Sequence, residues 1–98
     1  MKRFYSHYSF IYPDIYLKNQ VVEIDDNRRI INIFPYEKEI EKTQFYSGLL
    51  VFLPDGVEPT GSFFKVENNN FSSTINTSNP SSQTTYQVYH EDIGKIML

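Results

Sequence analysis

With 98 residues, a formal net charge of -3 and no cysteine, the chain is read as one small domain without disulfides or thiolate chemistry, and it lacks the basic footprint that a nucleic-acid backbone or an anionic membrane surface would call for. Apolar residues make up 40% of it and aromatics 16%, from eight Phe and eight Tyr with no Trp, and alanine is absent. Rings must therefore fill much of the interior, and the wealth of Ile, Val, Tyr, Phe and Thr predicts a mostly β fold, a small β-sandwich or partly open barrel with at most one short helix.

Residues 3–12 alternate, with Phe4, Tyr8, Phe10 and Tyr12 in one phase, and Pro13-Asp14 closes this first strand. A second strand follows over 15–24, with Ile15, Leu17 and Val21 on one face. The polar Asn19-Gln20 and the adjacent Val21-Val22 imply a bulge or register change within it. Asp25-Asp26-Asn27-Arg28 is turn chemistry, and residues 29–34 return as the second arm of a hairpin. Residues 35–42 fit either a helix of about two turns or an extended charged crossing, and the pattern alone leaves both open.

Residues 45–53 form the most apolar segment, a central strand expected to be buried on both faces with Leu49, Leu50, Val51, Phe52 and Leu53 in the core, until Pro54-Asp55-Gly56 stops it. Gly56, Pro59 and Gly61 mark a loop before a short strand over 62–66. Residues 68–83 are polar and rich in structure breakers, a long surface loop or a weak hairpin. A strand over 84–89 with Tyr86 and Val88 in phase, a turn at His90-Glu91-Asp92 and a closing strand over 93–98 complete a single β-rich domain spanning 1–98.

No catalytic constellation emerges from these elements. His7 sits mid-strand opposite Phe4 and Phe10 with no orienting partner, and His90-Glu91-Asp92 are consecutive, which suits a solvated turn better than a convergent site. Asp25-Asp26-Asn27 lacks the ligand spacing, central Gly and terminal Glu of a calcium loop. The alternating charges of 37–42 suit a solvated face. No nucleophile elbow, phosphate loop or dinucleotide fingerprint is present, so no catalytic, metal or cofactor-binding residue is assigned and no cofactor is expected. The start Met1-Lys2-Arg3 is charged, but Tyr5, Ser6, His7 and Ser9 interrupt any apolar signal core, and no run approaches the roughly 20 apolar residues of a membrane span. A cytoplasmic location is the expectation, and the triplets Asn70-Phe71-Ser72 and Asn76-Thr77-Ser78 are read as chance matches to a glycosylation pattern.

Three stretches, Phe10-Ile11-Tyr12-Pro13, the run Val21-Val22-Glu23-Ile24-Asp25-Asp26-Asn27-Arg28-Arg29-Ile30, and Leu50-Val51-Phe52-Leu53-Pro54-Asp55-Gly56, occur in an order similar to the N-terminal β-sandwich segment of the metal-dependent amidohydrolase superfamily. The likeness covers roughly residues 8–56. In that family the Pro-Gly strand leads into a catalytic barrel whose His-x-His pair supplies the first metal ligands. Here Pro54 is followed by Asp55-Gly56-Val57-Glu58-Pro59, no His-x-His occurs, and there is no room for a barrel of about 250 residues. The resemblance thus implies a free-standing accessory sandwich without the metal centre, in which residues 84–98 take the place of the segment that follows the barrel.

The resulting expectation is a non-enzymatic domain that contacts another protein or itself, as an accessory or interaction module, through Tyr5, Tyr12, Tyr16, Tyr36 or Tyr46. Neither nucleic acid nor membrane is expected as a partner. The alternative is a small-ligand or carbohydrate-binding domain that stacks its ligand on the same rings.

Overall fold

The computed structural model describes residues 1–38, 41–64 and 83–98. Among them are six strands, β1 (Lys2–Ile11), β2 (Ile15–Ile24), β3 (Ile30–Pro35), β4 (Thr43–Pro54), β5 (Tyr86–His90) and β6 (Gly94–Ile96), and one 3-10 turn at Gly61–Phe64. All six strands belong to one mixed sheet in the order β3-β2-β1-β4-β5-β6. The pair β1–β4 is parallel and every other neighbouring pair is antiparallel. The chain is mostly β, as its composition predicts, and no α-helix occurs among the described residues.

The sheet is rolled. One core cluster takes side chains from all six strands, with Phe4 and Ile11 from β1, Leu17, Val22 and Ile24 from β2, Ile30 from β3, Leu50 and Phe52 from β4, Tyr86 and Val88 from β5, and Ile96 from β6. The amide of Tyr86 at the start of β5 donates to the carbonyl of Arg28 in the β2–β3 turn at 2.8 Å, which fastens one flank to the other. Of the two expected architectures this is the partly open barrel: one sheet wrapped around an apolar interior, at about 25 cal/mol for each Å² of apolar surface withdrawn from water.

A second cluster, Phe10, Leu49, Val51 and Leu53, lies on the outer face of the same sheet. Tyr8, Tyr12, Tyr16 and Tyr89 pack against it, and Val57, Phe63 and Phe64 from the segment after β4 cover it. β4 is thus buried on both faces from Leu49 to Leu53. Its first half is not. Residues 43–48 are exposed or half-buried, and Phe45 is 54% exposed, so the expected two-sided burial of 45–53 applies only beyond Gly48.

The two faces exchange residues partway along the strands. Phe4 and Ile11 share the inner cluster although Ile11 lies an odd number of positions along from Phe4, and Phe10 lies on the outer face. In β2, Leu17 shares the inner cluster with Val22 and Ile24, again an odd separation from Leu17 to Val22, and Asn19 between them has φ 56°. Where β1 runs beside β4, the register steps from Ser6↔Tyr46 to Tyr8↔Leu49, leaving one extra residue in β4 near Gly48, whose φ is +84°. The reversal therefore passes across β1 and β2 at the facing residues His7 and Asn19, whereas β4 keeps Tyr46, Leu50 and Phe52 on the inner face in one phase and takes up the step with its extra residue at Gly48. Ser6 and Ser9, buried on either side of it, meet Oγ to Oγ at 2.9 Å. The single phase predicted for Phe4, Tyr8, Phe10 and Tyr12 is corrected here, because Phe4 lies on the opposite face from the other three.

Further differences are local. A 3-10 turn stands at Gly61–Phe64 where a strand over 62–66 was expected, and residues 65 and 66 lie outside the described residues. The polar stretch 68–83 lies outside them too, apart from Gln83. Pro35 ends β3 and Thr43 opens β4, and the described residues between them hold no helical turn.

Candidate functional site

Below the reversal, the outer face carries side chains that the segment after β4 does not cover. The register places Phe34, Val21, Tyr5 and Phe45 in one row across β3, β2, β1 and β4. Val21 is fully buried at the bottom of this row. Tyr5 and Tyr36, the residue after β3, lean together with ring centroids 4.0 Å apart and planes at 13°. Phe45 lies 5.3 Å from Tyr5, and His7 meets Phe45 edge to face at 5.4 Å. Tyr36 is 37% exposed and Phe45 54%, so the cluster keeps a broad apolar surface in water. The ion pair between Arg3 Nε and Glu23 Oε2 and the exposed Asn32 form a polar row along one border.

His7 is held in this group by the backbone. Its Nδ1 accepts the Gly48 amide at 3.3 Å, which leaves Nε2 as the protonated nitrogen of the neutral ring. The five tyrosines expected at a contact do not form one surface. Tyr5 and Tyr36 come together, whereas Tyr12 packs on Phe63 at 5.8 Å and Tyr16 on Phe10 at 4.9 Å, both against the outer cluster. Tyr46 packs on Phe4 and His90 at the inner face and donates its hydroxyl to Gln44 Oε1 at 3.0 Å. The sequence reading passed over Phe45. Phe45 shares its phase with Leu49, Val51 and Leu53, and the polar Thr43 and Ser47 on either side of it in that phase were the available signal that this end of the outer face stands open.

The ionisable groups elsewhere serve the fold. Arg28 Nη1 and Nη2 grip Asp55 Oδ1 and Oδ2 at 2.8 and 3.0 Å, and Thr85 Oγ1 and Gln87 Nε2 donate to the same carboxylate. The Arg28 hydrogen bonds, then those from Thr85 and Gln87, hold the Asp55 carboxyl well below the usual aspartate range. Asp25 closes its turn by accepting the Arg29 and Asn27 amides and pairing with Arg29 Nε at 3.0 Å. The Arg29 amide is the main reason its pKa is lowered. His90, expected in a solvated turn, is instead the buried last residue of β5, and the turn follows it. Its Nε2 donates to Ser47 O at 2.6 Å, and Nδ1 accepts the Asp92 and Ile93 amides at 3.1 and 3.3 Å. Burial pushes the Tyr86 phenol up.

A recess of about 310 Å³ opens between Lys2, Ile24, Asp25, Asp26, Arg28 and Leu98. Its two carboxylates and its guanidinium are already engaged: Asp25 with Arg29, Asp26 with the Met1 amine at 2.8 Å, and Arg28 with Asp55. Among the described residues no three His, Cys, Asp or Glu side chains are grouped as a metal ion would require. No described helix is long and apolar enough to cross a membrane. The searches against family models, curated proteins and solved structures return no match for this chain.

Proposed function

We propose that the protein is a non-catalytic β domain that works as an accessory or interaction module, docking another protein against Tyr5, Tyr36 and Phe45. The observation that carries this reading is the exposed Phe45 ring, continuous with the Tyr5–Tyr36 stack and bordered by the Arg3–Glu23 pair. An aromatic centre with a polar rim is the usual anatomy of a contact surface. A different protein is favoured over a second copy joined edge to edge, because both sheet edges are blunted. β6 spans only Gly94–Ile96, and β3 carries an extra residue at Ile31 and ends in Pro35.

The net charge of -3 disfavours nucleic acid and anionic membrane as partners, and a cytoplasmic, cofactor-free role goes with this reading. The likeness to the amidohydrolase accessory sandwich supplies one class of partner, a barrel hydrolase that lacks a sandwich of its own. The carbohydrate-binding alternative is weakened by the stack itself, since the faces that Tyr5 and Tyr36 turn to each other are closed to a sugar. The test is affinity capture from an extract of the source organism with the full chain and with the Tyr36→Ser/Phe45→Ser variant. A stoichiometric protein retained by the former and lost by the latter, with the melting temperature unchanged, is expected. Equal retention by both, or saturable quenching of tyrosine fluorescence by a sugar in place of any captured protein, would reject it.

A further inference from the structure

Tyr5 lies in β1 and Tyr36 directly follows β3, with β2 lying between those strands. Their phenol rings nevertheless stack at 4.0 Å with 13° between the planes, and Tyr36 is 37% exposed, open to an electron-transfer reagent in solution. We propose that this pair is a site of oxidative modification, where a one-electron oxidant of the haem-peroxidase class with hydrogen peroxide joins the two rings as an intramolecular dityrosine. The proposal does not depend on whether the face meets a partner.

The chemistry balances without any group from the protein. Each phenol loses one electron and its hydroxyl proton to give a phenoxyl radical whose spin is shared with the ring carbons ortho to oxygen. The two radicals form one carbon–carbon bond between ortho positions, and the two displaced ring protons return the oxygens to phenols. One hydrogen peroxide accepts the two electrons and two protons and leaves as two waters. Stacking holds the two ring faces at contact distance before either radical forms, so that a small rotation of the rings brings ortho positions together. That is the condition under which an intramolecular step gains an effective concentration of about 10⁵ M or more over encounter between molecules.

The bond would close a loop over residues 5–36 and fix the end of an edge strand to the centre of the sheet. A cross-link of this length restricts the unfolded chain as a disulfide would, and a chain without cysteine has no disulfide to serve that role.

The experiment is oxidation of the dilute full-length protein with peroxidase and limiting peroxide. The expected product is a monomer lighter by two hydrogen atoms, with dityrosine emission and a cross-linked tryptic pair joining residues 4–18 to 30–38, assigned within the first peptide to Tyr5. Its melting temperature should be raised. Tyr5→Phe keeps the ring and its packing but removes the phenol, and it should cut the emission at least about fivefold. Cross-links formed mainly between chains, or a yield that neither Tyr5→Phe nor Tyr36→Phe lowers, would overturn the proposal.

Discussion

Gly48 takes φ +84° in the middle of β4, and its amide is given to His7 Nδ1 at 3.3 Å. A Cβ built on it would meet the carboxylate of Glu91, the end of an exposed side chain that can swing aside, so it is the backbone conformation that favours glycine. We expect Gly48→Ala to lower stability by about 1–2 kcal/mol in a urea titration. In a Glu91→Ala background only the part due to the collision should be recovered, and full recovery would show that the backbone conformation carries no cost. A lone glycine in an apolar run is visible in the sequence as a candidate bulge. The register change at Asn19-Gln20 is legible too, but that it faces a reversal at His7 and lies in one row with Gly48 is not, because only the pairing of the strands shows which residues stand side by side.

The β3 edge shows how an element can be legible while its role is not. The hairpin of β2 and β3 follows from alternation on either side of Asp25-Asp26-Asn27-Arg28, and it forms as read. The Tyr36 amide donates to Asn19 O at 3.0 Å, and by the alternation of an antiparallel ladder Pro35 turns its nitrogen outward, toward the open side of the sheet. A residue with an N–H at that position would offer a donor to any passing strand. Pro35→Thr is therefore expected to leave the fold intact and to raise self-association, read as a concentration-dependent mass by light scattering. A strictly monomeric Pro35→Thr variant would mean that the Ile31 bulge alone guards the edge. The strand expected over 62–66 failed for a different reason. Phe63 and Phe64 are drawn onto the outer cluster as a cover, and the local pattern carries no word of that distant surface.

At the scale of the whole molecule, the rolled sheet is held by groups far apart in sequence, Arg28 with Asp55, Thr85 and Gln87 around one carboxylate, and the Arg28 carbonyl with the Tyr86 amide. Turn chemistry announced Asp25 and Asp55 as turn residues, but no spacing rule joins residue 28 to residue 55, so this closure was invisible before the fold was known. Because the Asp55 carboxyl is held well below its usual range, its contribution is complete above the ordinary aspartate value and is lost as the pH falls beneath it. Asp55→Asn should cost about 1 kcal/mol at neutral pH, given the partial exposure of the pair, and should flatten the acid limb of the stability curve between about pH 4 and pH 2. An acid limb as steep as that of the parent would assign the loss to other carboxylates.

The parallel pairing of β1 with β4 bears on how the chain reaches this state. β1, β2 and β3 follow one another as a meander and need only short loops to pair. The other flank of β1, however, waits for β4, some 40 residues further along, and β5 and β6 can be added only after that. During synthesis, a three-stranded half must emerge with the future middle of the sheet standing as its open margin. The edges that end up blunted in the finished protein are therefore not the ones most exposed to mispairing while it is being made.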